Sequence, residues 1–155
     1  MTKNQIFISA TILAGLGVAL GAVGAHAFKD LLIQNARTET YETAVRYQLF
    51  HALALFAVGV LPEKKNGLIT WVAMLFLSGS ILFSGSLFML SFTAVKWVVF
   101  VTPVGGVLMI AGWILLLIHF LKLPSNKKKP TLLEPVFFCL LSEDLVDHFL
   151  LYHIC

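Results

Sequence analysis

The sequence predicts an all-α membrane protein, a four-transmembrane-helix up-down bundle with a short C-terminal tail. Three observations predict it. Hydrophobic residues make up 59% of the chain and charged residues only 12%, against the ~25% charge of an ordinary soluble domain. Four long runs, residues 6–25, 43–61, 68–90 and 97–121, are almost free of charge. Each matches the ~20 residues a helix needs to cross ~30 Å of hydrocarbon at ~1.5 Å per residue. The connections between them are short and polar, which makes consecutive helices antiparallel neighbours. Inside lipid every backbone N–H and C=O must pair within the chain, so such runs coil rather than extend.

The first run reads GLGVALGAVGAH at its far end. Gly17 and Gly21 form a GxxxG step, and Ala25 continues the series of small residues. Such a face lets another backbone come close, in this bundle or in a second copy of the chain. Lys3, an apolar stretch and Ala25-His26-Ala27 also imitate a cleavable signal peptide. The length of the run and its glycine spacing favour a retained span. The following connection, residues 26–42, carries Lys29, Asp30, Arg37, Glu39 and Glu42 and could hold a short surface helix.

The second run has Arg46 near its start, one turn after Glu42. That spacing suits an interfacial ion pair or a snorkelling anchor. The connection PEKKNG is turn chemistry. The third run contains SGSILFSGS, in which Ser78, Gly79, Ser80, Ser84, Gly85 and Ser86 suit a tight helix crossing, with Ser84 able to bond the Ser80 carbonyl. A catalytic serine needs a base and an oxyanion site, and the run supplies neither. The fourth run contains TPVGG. Pro103 is expected to kink the helix, and Gly105 and Gly106 to allow close contact. Trp97 and Trp113 are expected to face lipid or its boundary, and Trp71 to anchor the start of the third span.

The domain reading is a transmembrane unit over residues 1–122 and a tail over 123–155. LPSNKKKP is a linker, and the apolar segment after it is broken by Glu134, Glu143, Asp144 and Asp147. Each acid costs about 2.5–3.5 kcal/mol at a bilayer centre, which argues against a fifth span. Phe137, Leu140, Leu141, Leu145 and Phe149 recur at helical spacing. An amphipathic helix and an extension without a role both fit.

Orientation follows the lysines and arginines. Lys3, Lys64, Lys65, Lys122, Lys127, Lys128 and Lys129 share one side; Lys29, Arg37, Arg46 and Lys96 share the other. Both termini are therefore expected in the cytoplasm. Cys139 and Cys155 form neither a disulfide framework nor a metal knuckle. One short lysine run without interleaved aromatics excludes a nucleic-acid surface.

The residues that could carry chemistry gather at one end. His26 closes the first run, and Tyr47, Gln48 and His51 follow Arg46 in the second. Both histidines are expected near the same interface. The group could be a proton relay, a metal pair or a site for a lipid or quinone headgroup. It could equally be a set of interhelical hydrogen bonds, which are worth about 0.6 kcal/mol each on average. Zinc wants three or four ligands, so no metal site is expected.

Four strings, GVALGAVGAHAFKDLL, YETAVRYQLFHALAL, LFSGSLFMLS and TPVGGVLMIAGWILL, together resemble domain-of-unknown-function family 423 in order and spacing. This is the family of small inner-membrane proteins of the YgdD and YwdK type, related to eukaryotic transmembrane protein 256. The resemblance covers residues 5–121 and implies a four-helix protein of the bacterial inner membrane. It implies no activity, catalytic residue or cofactor. The tail departs from the family pattern, as a C-terminus of separate origin would.

The function expected is a non-enzymatic module that packs helices and binds membrane lipids or partner proteins, a second copy included, with no cofactor. The alternative is a small transporter or transport subunit that acts as an oligomer.

Overall fold

The computed structural model describes residues 1–62, 67–93 and 96–122. The expected tail helix lies outside them. The described part is helical: α1 Lys3–His26, α2 Lys29–Gln34, α3 Thr38–Val60, α4 Leu68–Phe92, a 3₁₀ segment Lys96–Phe100 and α5 Val101–Leu121. Four helices, counting the 3₁₀ segment with α5, are long and apolar enough to cross a membrane. This is a membrane bundle of the up-down kind.

Local chemistry sets the helix ends. Thr2 accepts from the Gln5 backbone N–H at 3.3 Å, while the Gln5 side chain accepts from the Thr2 N–H at 2.8 Å. This capping box opens α1. The connection after α1 folds into α2. Its end is a Schellman turn: Ala36 adopts φ +52°, its N–H donates to the Ile33 carbonyl, and the Arg37 N–H donates to the Leu32 carbonyl. A left-handed alanine costs about 1–2 kcal/mol. Asn35 offsets part of this by donating its side-chain amide to the Ser91 carbonyl at 3.3 Å, which ties α2 to the end of α4. α3 then starts at Thr38, before the apolar run begins, with Glu39 in its first turn where the helix dipole favours an acid.

Each long helix packs against the next one in the chain. α1 lies along α3, α3 along α4 and α4 along α5, while α1 and α4 only graze each other. The inner helices bury 39% of their span and the outer ones 22%. α1 and α5 therefore form the two edges.

The α1–α3 seam runs on small residues. A Cβ at Gly17 would come within 2.7 Å of Leu49 Cδ2, and one at Gly21 within 3.3 Å of Val45 Cγ1. Gly24 then sits against the Tyr41 ring. The expected continuation of the GxxxG face at Ala25 is corrected by one residue: Ala25 is exposed and Gly24 is buried. A helix turns ~100° per residue, so the face that begins at residues 17 and 21 passes nearer 24 than 25.

The α4–α5 seam is closer still. Gly79 and Gly105 meet backbone to backbone, and Gly112 receives the Phe76 ring. Three expectations for this seam are corrected. Gly85 packs against nothing, because a Cβ there would meet no atom within 4 Å. Gly106 makes only ordinary contact with Phe83. Pro103 kinks no helix interior: it lies in the first turn of α5, directly after the 3₁₀ segment. A proline in a first turn removes no ladder bond.

Candidate functional site

The structure separates the expected polar cluster into three unrelated parts. His26 is exposed at the last residue of α1. His51 is the fourteenth of the 23 residues of α3, about 20 Å along the axis from the start of that helix. Gly24 of α1 faces Tyr41 and Gly17 faces Leu49, so His51 lies well below the level of His26 in the bundle.

His51 is held from both sides. Nδ1 lies 2.9 Å from the Tyr47 carbonyl, and Trp113 Nε1–H donates to Nε2 across 3.3 Å. A carbonyl only accepts and an indole N–H only donates. The proton must therefore sit on Nδ1, and the imidazole is neutral with both nitrogens engaged. Phe76 fills the remaining space, its ring centroid 5.5 Å from His51 and 4.9 Å from Trp113. Trp113, expected at the lipid face or boundary, is 49% exposed and at the same time ties α5 to α3 through its indole N–H. Tyr47 stacks beside His51 at 6.3 Å and against Phe83 at 4.8 Å. Gln48 is spent elsewhere, donating to the Leu13 carbonyl of α1 at 2.9 Å.

A double-mutant cycle on His51→Asn and Trp113→Phe should give a coupling of about 0.6–1.7 kcal/mol in unfolding from detergent micelles. Additive single effects would show that the two side chains do not interact.

Three serines of α4 bond carbonyls of their own helix. Ser78 donates to the Met74 carbonyl at 2.7 Å and Ser91 to the Leu87 carbonyl at 2.8 Å. Ser86 donates to the Phe83 carbonyl and also meets the Thr102 hydroxyl of α5 at 2.7 Å. The expected bond from Ser84 to the Ser80 carbonyl is not made: the Ser80 and Ser84 hydroxyls are buried with no partner among the described residues, as is His119 Nε2.

An open groove lies between α1, α2 and α3. Its volume is about 640 Å³, and its apolar lining is Gly21, Gly24 and Ala25 of α1, Val45 and Leu49 of α3, and Leu32 and Ile33 of α2. Lys29, Glu42 and Arg46 line the same groove. α2 contributes Lys29, Leu32 and Ile33 to it. The small side chains of α1 leave the depth. Sequence reasoning noticed Arg46, Glu42 and the glycines separately but missed that α2 joins them. The signal was KDLLIQ, within the connection that could hold a short surface helix.

Residues 20–106 match the family model described as Protein of unknown function (DUF423). The chain belongs to this family. It is 38% identical to the UPF0382 membrane protein YwdK of Bacillus subtilis over 74% of its own length and 94% of that protein's. It is 36% identical to the UPF0382 inner membrane protein YgdD of Escherichia coli over 79% of its length and 94% of that protein's. A Staphylococcus saprophyticus UPF0382 membrane protein is 36% identical over 71% of this chain and 91% of its own length. No solved structure matches the chain. The whole lining of the groove, from Gly21 to Leu49, falls inside the DUF423 match, whereas Trp113 falls beyond it.

Proposed function

We propose that this chain is a non-enzymatic lipid-binding module of the bacterial inner membrane, with both termini on the cytoplasmic side. The observation that carries the reading is the groove between α1, α2 and α3. It combines an apolar wall at membrane depth with charged side chains from α2 and α3 at one end, the pairing an amphipathic lipid requires. Support for an inner-membrane location comes from the name of the Escherichia coli relative. The excess of lysine and arginine on the terminal side supports the orientation. With that orientation the groove opens into the outer leaflet. Its partner is a single lipid molecule held at the edge of the bundle.

Purified full-length protein should carry phospholipid through detergent exchange, seen as mass adducts in native mass spectrometry. Lys29→Gln combined with Arg46→Gln should reduce the occupied fraction about tenfold, the loss expected for ~1.4 kcal/mol of headgroup attraction. Equal occupancy in the double variant would exclude the groove as the binding site. For the topology, a single cysteine placed at Gln34, in a variant with Cys139 and Cys155 replaced, should react with an impermeant maleimide added outside intact cells. Labelling only after lysis would invert the orientation.

The transport reading draws no comparable support. It relied on His26 and His51 acting together, and these are far apart, with both His51 nitrogens already bonded.

A further inference from the structure

The order of chemistry along the groove identifies the headgroup class. α3 starts at Thr38, so its residues run inward from the membrane surface in number order. Glu42 comes first, Val45 and Arg46 lie about one turn deeper, and Leu49 continues the wall below them. At ~1.5 Å per residue, Glu42 and Arg46 sit about 6 Å apart along the axis on one face. Lys29 lines the groove from α2, whereas its neighbour Asp30 does not line it.

A phospholipid presents groups in a matching sequence: a terminal headgroup in water, a phosphate below it, and acyl chains below that. The arginine fork and the lysine ammonium both suit a phosphate. The Glu42 carboxylate, one turn nearer the surface than Arg46, suits a cation at the end of the headgroup. We infer that the groove selects a phospholipid whose headgroup ends in a primary ammonium, as in phosphatidylethanolamine. The inference rests on the proposed lipid-binding role and adds the identity of the headgroup.

Charge and hydrogen bonding exclude the competitors in turn. Phosphatidylglycerol would satisfy Lys29 and Arg46 but offers Glu42 no cation. Phosphatidylserine adds a second carboxylate beside Glu42. Phosphatidylcholine carries a quaternary ammonium with no N–H, so Glu42 loses a charge-assisted hydrogen bond of the stronger kind.

The test uses delipidated full-length protein in detergent, offered phosphatidylethanolamine, its N-monomethyl and N,N-dimethyl forms, phosphatidylcholine and phosphatidylglycerol. All carry the same acyl chains, and binding is read by native mass spectrometry. Affinity should fall stepwise with each added methyl, about tenfold in all from the primary amine to phosphatidylcholine. Glu42→Gln should remove that difference while phosphatidylglycerol binding stays the same or rises. The methyl series needs no variant, so it decides the matter even where Glu42→Gln fails to fold. Equal binding across the series overturns the headgroup inference and leaves the lipid-binding role standing. Tighter binding of phosphatidylglycerol than of phosphatidylethanolamine overturns it too. Retention of none of these lipids overturns both.

Discussion

Gly105→Ala should destabilise the bundle by about 2–3 kcal/mol, the upper range for overpacking a close-fitting site. The added methyl would press on the Phe83 backbone, with Cα at 2.8 Å, and on the Gly79 carbonyl oxygen at 2.9 Å. These are backbone atoms of a neighbouring helix, and no rotamer change relieves them. The two helices must separate, which forfeits dispersion contacts along a seam that has no hydrophobic drive to restore it in lipid. Alanine is the better helix former by about 1 kcal/mol, so the net loss measures the crossing and not the helix. Gly85→Ala is the matched control, since a Cβ there meets nothing within 4 Å. It should be neutral or slightly stabilising. Unfolding of the purified protein in mixed micelles reads both. Indistinguishable midpoints for the two variants would mean that α4 and α5 do not cross as described.

Phe76→Ala should cost about 2 kcal/mol, less than the ~3–5 kcal/mol of the same change in a water-soluble core. Phe76 is fully buried and touches His51, Trp113 and Gly112. In water, truncating such a ring loses both transfer free energy and packing. In lipid the separated helices would expose Phe76 to acyl chains as apolar as the protein interior, so the transfer part largely vanishes and the cavity part remains. The substitution should also weaken the His51–Trp113 coupling, because the ring holds the imidazole and indole at their distance. Phe50, 58% exposed on the outer face of the same bundle, should tolerate alanine with little change. A loss at Phe50 equal to that at Phe76 would refute this packing.

Composition and the spacing of charges were enough to establish a membrane protein with four helices, because hydrocarbon imposes one rule on every exposed residue and the rule is local. A run without charges announces itself from the run alone, and the glycines at 17 and 21 announce a close neighbour in the same way. The identity of that neighbour is not local. Gly17, Gly21, Gly79, Gly85, Gly105 and Gly106 look alike as residues, yet Gly105 meets backbone and Gly85 meets nothing. Small size permits contact without specifying a partner. Polar side chains behaved likewise. His26, Gln48 and His51 suggested one cluster by proximity in sequence, and three separate environments resulted, set by the register of α1 on α3 and of α4 on α5. The groove beside Lys29, Glu42 and Arg46 was hidden for the same reason, since six residues of helix in a connection acquire meaning only once folded against two others. Membership of the bilayer is thus written residue by residue, while contact and cavity are properties of helix pairs, decided by which faces the packing leaves together.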